Sequence, residues 1–380
     1  MAPQSDTIVV GGGAIGAACA RELALSGRKV LVIEAGTDMG QAWRAAGGML
    51  APQIEADGSD PVLTLGLAAL DHYDELAAAL RESTGVDLGL WRDGIGRVAT
   101  DPADAAALQA KVSWQQEQGY GSTWLGPEEL RRRWPWLGPA IGALWAPRDG
   151  ALDPARLVEA LLADARRLGA SIVRDRVTGV VAQHNRIEGV RSEAGHYSGP
   201  NVIIAAGAWS GLIEGLPRSL PVQPVRGQMA AVPWPEGVDR AILYHRDAYI
   251  LARGKEAILG STMEYVGFDP EVTPDGLAHI FSATMALCPG LIRTKLRRSW
   301  AGLRPMTPDG LPVIGPDPDV PGLWYATGHG RNGILLAGLT GRIMAQLING
   351  TRPSQDLRPF APGRFRKNGS RQPGTGQAED

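Results

Sequence analysis

The chain is poor in the residues that mark several large classes of function. Of its 380 residues only two are cysteine, Cys19 and Cys288. Two cannot build a disulfide framework, and no C-x-x-C offers metal or redox chemistry. Cys19 falls inside a helical stretch and reads as a small buried apolar residue. The net charge of −2 lacks the basic excess that nucleic acid or an anionic membrane would require. No segment approaches the roughly 18 consecutive apolar residues of a membrane span. The six histidines, His245 and His279 among them, show no metal-ligand spacing. No Ser-His-Asp set, catalytic carboxylate pair or internal repeat stands out. Residues Met1–Asp6 carry no basic n-region, so no secretory signal is expected and a cytoplasmic location is the default.

Glycine is in excess, with 50 residues, as suits many close backbone approaches around a large ligand. The run Thr7-Ile8-Val9-Val10 leads into Gly11, Gly13 and Gly16 at G-x-G-x-x-G spacing. An Ala-rich amphipathic stretch follows, and then Val30-Leu31-Val32-Ile33 ends at Glu34. This is a β-α-β unit for a dinucleotide. Gly11 permits the tight turn, Gly13 lets the backbone reach the pyrophosphate, and Gly16 lets helix and strand pack closely. The helix N-terminus offers its free N–H groups to phosphate, and Glu34 is placed for the ribose hydroxyls. An ordinary glycine-rich turn would leave Glu34 unexplained.

Further along, residues 62–84 read as a helix, with Leu63, Leu67, Leu70, Tyr73, Leu76 and Leu80 at helical spacing. Residues 91–99 read as a strand and 102–118 as a surface helix. Asp153-Pro154 caps a helix over 157–168. Strands are expected over 171–173, 177–181 and 187–191. Asn201–Ala205 is a buried strand ending in Ala206-Gly207, and 223–300 turns to alternating strands. Trp324–Thr327 is again a buried strand, followed by a last helix over 334–348. The expected architecture is α/β plus α+β. A discontinuous Rossmann-like nucleotide domain (5–90, 148–221 and 305–362) is interrupted by an antiparallel-sheet substrate domain (91–147 and 222–304). A Gly- and Pro-rich tail over 363–380 is expected to be disordered.

Several of these segments together resemble the FAD-dependent D-amino-acid oxidase family, over about residues 5–362. They are the N-terminal fingerprint, Ala46-Gly47-Gly48-Met49-Leu50, Ala206-Gly207-Ala208-Trp209-Ser210, and Trp300-Ala301-Gly302-Leu303-Arg304-Pro305. Asp309-Gly310-Leu311-Pro312-Val313-Ile314-Gly315 and Gly328-His329-Gly330-Arg331-Asn332-Gly333-Ile334-Leu335-Leu336 complete the set. Leu243-Tyr244-His245-x-x-x-Tyr249-Ile250 and Gly260-Ser261-Thr262-Met263 draw the chain toward the glycine oxidase branch, which is also associated with making the thiazole of thiamine.

The resemblance implies noncovalent FAD, since neither cysteine matches the position of a flavin tether in relatives that have one. It places Gly11, Gly13, Ala14, Ile15 and Gly16 at the pyrophosphate, and Glu34 and Ala35 at ribose and adenine. Ala42, Trp43, Gly47, Gly48 and Met49 would run along the ribityl chain and flavin, and Val177 would bind adenine through its backbone. His329, Gly330, Arg331, Asn332, Gly333, Ile334 and Leu335 would pass under the ring. There the last helix would direct about half a positive charge at the flavin N1 and C2 carbonyl.

For the substrate, the resemblance points to Arg304 as the bidentate partner of a carboxylate, with Tyr249 adding a hydroxyl. Met263 would line a small side-chain space, and Arg331 is a further candidate. Plainer readings are a surface ion pair for Arg304, which its apolar flanks oppose, and core packing for Tyr249. The implied reaction is oxidative deamination of glycine, sarcosine, D-alanine or D-proline by hydride transfer from Cα to flavin N5, with oxygen as acceptor, peroxide as product and no obligatory general base. Sarcosine oxidase, D-amino-acid dehydrogenase and a non-catalytic nucleotide-binding protein remain alternatives. A homotetramer is the assembly the family suggests.

Overall fold

The computed structural model describes residues 5–36, 40–246 and 248–365. Thr7–Val10 is buried along its whole length, as a central strand of a covered parallel sheet must be. It pairs in parallel with Val30–Glu34 on one side and with Val202–Ile204 on the other, so that Ile8 lies opposite both Leu31 and Val202. The six-stranded sheet runs in the order Val313–Pro316, Leu323–Thr327, Val202–Ile204, Thr7–Val10, Val30–Glu34, Ser171–Arg174. Within it Val313–Pro316 runs antiparallel to its neighbour. Strand order reverses at Thr7–Val10, which opens a crevice at the carboxyl ends of the strands beside Gly11 and Ala205.

Helices Ala14–Leu25, Pro61–Thr84, Pro154–Arg167 and Gly333–Ile348 cover one face, and Ala17, Leu23, Tyr73, Leu161, Leu336 and Ile343 share its core. A three-stranded antiparallel sheet, Val177–Gln183, Arg186–Ser192 and His196–Ser198, covers the other face through Val177, Val180, Ile187 and Val190. The result is a Rossmann-like α/β layer structure.

A nine-stranded sheet forms the second body of structure. Its order is Gly40–Gln41, Arg298–Met306, Gln223–Pro233, Glu256–Gly260, Ala248–Arg253, Ile242–His245, Ile95–Ala99, Gly142–Ala146, Thr123–Leu125. Two of its pairings are parallel, Ile242–His245 with Ile95–Ala99 and Arg298–Met306 with Gly40–Gln41. Both join segments far apart in the chain, where no hairpin imposes an antiparallel course. Arg298–Met306 lies along Gln223–Pro233 from Arg298 opposite Ala231 to Met306 opposite Gln223. That register places Arg304 on the same sheet as Tyr249.

The small-residue stretch after Gln41 contains a helical turn, Ala42–Ala45. At the chain end Pro362–Arg364 forms a 3-10 turn, and Arg364 Nε lies 2.8 Å from Asp309. The first residues of the expected disordered tail are therefore tied to the body of the protein, and 366–380 lie outside the described residues. No described helix is long and apolar enough to cross a membrane.

Candidate active site

A cavity of about 1630 Å³, its open mouth included, lies where the carboxyl ends of the parallel strands meet the nine-stranded sheet. Gly11, Gly13, Ala14 and Ile15 line one end. Gly11 has φ +104°, and a Cβ there would sit 2.5 Å from the Ala205 carbonyl oxygen. Gly16 lies beneath the wall, where a Cβ would come within 1.9 Å of the Gly11 carbonyl oxygen. Its absence of a side chain allows the turn to close.

Glu34 and Ala35 also line this end. The Glu34 carboxylate accepts from the backbone N–H of Gly12 at 2.6 Å and of Gly36 at 2.9 Å, and from Gln41 Nε2 at 3.0 Å. These bonds fix the carboxylate at the tip of its strand. Ala42, Trp43, Gly47, Gly48, Met49 and Val177 continue the wall.

Among the described helices longer than seven residues, the capping pattern separates two from the rest. Pro61–Thr84, Pro102–Glu117, Pro154–Arg167 and Pro274–Leu287 each carry a side-chain cap, from Asp60, Asp101, Asp153 and Thr273. Ala14–Leu25 and Gly333–Ile348 have none, and both begin at the cavity. Their first-turn N–H groups and partial positive charges are left for a ligand. His329, Gly330, Arg331, Gly333 and Ile334 line the second of these ends. The Tyr73 hydroxyl donates to the Ile334 carbonyl and ties down that first turn.

His329 is fully enclosed, and burial pushes its pKa down to about 3, so the imidazole is neutral. Its Nε2 lies 3.1 Å from the Thr340 hydroxyl, while Nδ1 is buried without a partner. Asn332 and Leu335 do not reach the cavity wall. Leu335 is buried in the helix core, against Gly66. Helical periodicity turns it away from the surface that Gly333 and Ile334 present.

At the other end, Arg304 and Tyr249 face the same space. Arg304 donates to the Thr262 carbonyl at 3.0 Å and to Ser261 Oγ at 2.7 Å. No carboxylate of the described residues lies within ion-pair distance of its guanidinium. Burial lowers the Arg304 pKa from its ordinary value. Such a charge in a confined cleft is an open anion site. Tyr249 lies 3.5 Å from the Met229 sulfur, and burial raises its pKa. Arg331 lies 3.3 Å from Glu55, which raises the arginine's pKa. Met263 is 43 % exposed and is not part of the cavity wall. It therefore does not form the small side-chain space expected of it; Met229, Tyr244 and Tyr249 occupy that wall.

Sequence reasoning passed over Glu55, Tyr244 and Arg253. Tyr244 and Tyr249 are directly opposite each other across a hairpin, with ring centroids 5.3 Å apart. The Tyr244 hydroxyl donates to Glu55 at 3.0 Å, and burial holds its pKa well above the usual phenol value. Arg253 donates to the carbonyls of Gly47 and Leu152, the latter at 3.1 Å, and so anchors the glycine loop from behind. Tyr244 stood in the Leu243–Ile250 segment that carried the family likeness, with no role assigned to it. Neither Cys19 nor Cys288 lines the cavity; both are buried, and the Cys19 thiol is pushed up to about 12.

The sequence pattern of the family described as FAD dependent oxidoreductase matches residues 6–347. The chain belongs to that family. Its cofactor is FAD, and the glycine cradle, the two uncapped helices and the orphaned His329 nitrogen fit a dinucleotide carrying a polar ring system. This oxidoreductase is 33 % identical to glycine oxidase of Geobacillus kaustophilus, over 95 % of this chain and 97 % of that protein. The crystal structure of that enzyme matches with a TM-score of 0.90 over 94 % of this chain and 98 % of the other. The bifunctional protein ThiO/ThiG of Trichormus variabilis is 33 % identical over 97 % of this chain, which spans 56 % of that longer protein. The structure of iminodiacetate oxidase from Chelativorans sp. BNC1 is 26 % identical with a TM-score of 0.87, covering 94 % of this chain and 98 % of that one.

Proposed function

We propose that this oxidoreductase oxidises glycine and related small amino acids, among them sarcosine, D-alanine and D-proline, to the oxo acid and ammonia or amine. The observation that carries the reading is Arg304, a guanidinium with no acidic partner among the described residues, in the same cavity as the dinucleotide cradle. Likeness to glycine oxidases and to iminodiacetate oxidase supports a carboxylate-bearing amine as substrate.

Bound FAD would supply the acceptor for the Cα hydride, with oxygen as the final acceptor and peroxide as product. The residues of this chain bind and orient. Arg304 holds the carboxylate, with the Ser261 hydroxyl and Thr262 carbonyl fixing its plane, and Tyr249 adds a hydroxyl on the same side. Each charge-assisted bond contributes about 1.5–3 kcal/mol. Orientation of this kind can account for much of the rate. The uncapped N-terminus of Gly333–Ile348 stabilises negative charge arriving beside it. A place in making the thiazole of thiamine, which the family resemblance implies, is part of the same proposal.

The test is anaerobic mixing of the yellow protein with glycine, sarcosine and D-proline in turn, followed by air. Bleaching of the visible band, then recovery with peroxide, is the expected result. Bleaching with slow recovery would assign a dehydrogenase with another acceptor. A band that no amine bleaches would overturn the substrate class.

A further inference from the structure

We propose that Glu55 holds the ammonium group of the substrate and takes a proton from it before oxidation. This rests on the amino-acid-oxidising reading of the cavity and adds a second pole to it. Glu55 lines the cavity with Arg304 and Tyr249. One carboxylate oxygen, Oε1, accepts from the Tyr244 hydroxyl at 3.0 Å and from Arg331 Nη2 at 3.3 Å. The other, Oε2, has no hydrogen-bond partner among the described residues. Tyr244 is the cross-strand neighbour of Tyr249, and the two rings touch. One tyrosine therefore stands at the negative pole and the other beside the positive pole. Directly opposed strand residues have Cα atoms about 4.5–5.5 Å apart, so the two tyrosines stand side by side on the cavity wall that Glu55 and Arg304 share.

The structure around Glu55 invests heavily in its placement. Glu55 ends the four-residue helix Pro52–Glu55, too short to hold itself in place. The buried Asp149 carboxylate accepts the backbone N–H of Gln53 at 3.1 Å and of Ile54 at 2.8 Å. Gln115 Nε2 donates to the Gln53 carbonyl at 2.7 Å, and Lys111 Nζ donates to the Ile54 carbonyl at 2.8 Å, with Arg97 at 3.5 Å. Lys111 also lies 3.6 Å from Asp57. The charged and titratable groups facing Glu55 are thus Tyr244 and Arg331 on its carboxylate, Arg97, Lys111, Asp57 and Asp149 behind it, and Arg304 and Tyr249 across the cavity.

The step balances simply. An N–H bond of the ammonium breaks, its electron pair stays on nitrogen, and an O–H bond forms at Glu55 Oε2. The neutral amine then has the lone pair that departure of a Cα hydride requires. The Glu55 side chain is 18 % exposed, enough to return the proton to solvent.

The experiment is the anaerobic bleaching rate against pH, at limiting glycine and sarcosine, for the FAD-loaded parent and Glu55→Gln. Loss of a general base should slow reduction by Glu55→Gln about 10²-fold near neutral pH. Its rate should also climb with pH toward the pKa of the free amine, while the parent levels off earlier. Binding of acetate, which needs the Arg304 pole alone, should stay within twofold. An unchanged pH profile in Glu55→Gln, with the parent still bleaching, overturns this proposal and leaves the proposed function standing. A parent that no amine bleaches removes both. Should Glu55→Gln fail to retain FAD, Tyr244→Phe decides the matter. That variant removes the hydroxyl holding Glu55 Oε1, so the acid limb of the pH profile must move while acetate binding stays within twofold, and an unmoved limb refutes the assignment.

Discussion

Replacing Gly227 with alanine tests the anion site without touching the arginine that forms it. Gly227 sits in the strand Gln223–Pro233 opposite Gly302. Its φ is not positive, so alanine fits the backbone. The guanidinium of Arg304 lies flat against the missing side chain. A Cβ would stand 2.2 Å from Nη1, 2.3 Å from Nη2 and 2.4 Å from Cζ, where ordinary contact begins at 3.4 Å. The guanidinium must therefore retreat by about 1 Å, through contacts the Cβ cannot share. Its bonds to Thr262 and Ser261, at 3.0 and 2.7 Å, cannot both survive that shift. Losing one arm of a bidentate carboxylate contact costs about 1.5–3 kcal/mol, roughly a tenfold to hundredfold loss in affinity. We expect KM for glycine and Kd for acetate to rise together by that factor, with kcat less affected. Flavin content should be unchanged. Steady-state kinetics and acetate titration of the visible band read both constants. A Gly227→Ala enzyme within twofold of the parent in each would refute the carboxylate's placement on Arg304.

Other outcomes follow from the same geometry. Gly16→Ala should yield protein without flavin, because its Cβ would overlap the Gly11 carbonyl oxygen at 1.9 Å; the ratio of visible to ultraviolet absorbance measures this. Arg253→Met removes the donors holding the Gly47 and Leu152 carbonyls, and FAD affinity should fall about tenfold or more in a fluorescence titration of the apoprotein. Burial pushes the Asp149 carboxyl from 3.8 up to about 8. A raised native pKa stabilises the fold below the unfolded value, and that stability is lost as pH rises. The parent should thus lose stability between about pH 4 and pH 8, and Asp149→Asn should flatten thermal melts across that window.

The end of the cavity lined by Gly11 and Glu34 was legible because its signal is local. Gly11 to Glu34 is contiguous, and each residue's part follows from spacing alone. Arg304 and Tyr249, which share the other end of the cavity, were singled out only through family likeness. Glu55 was invisible for a physical reason. It is one of 40 acidic residues, and what sets it apart is contact with Tyr244 and Arg331, which lie 189 and 276 positions away. Asp149, which positions it, is likewise 95 positions from Ile54. Met263 failed as a wall residue because its side chain is exposed to solvent beside the Arg226–Glu264 bridge. Asn332 and Leu335 were carried along by their neighbours in a motif, whereas helix geometry shows only one side of that turn to the cavity.

The cavity wall is drawn from stretches near residues 10–15, 33–35, 41–49, 175–177, 205–209 and 326–334 as well as the nine-stranded sheet. The opening of any one of them breaches the wall. The dinucleotide is accordingly a clasp on the complete fold, and its concentration enters the folding equilibrium directly. Free cofactor at a hundred times its dissociation constant adds about 2.7 kcal/mol to the native state, a large share of the 5–15 kcal/mol that typical domains possess. A shortage of the cofactor would therefore raise the unfolded fraction of this protein about a hundredfold.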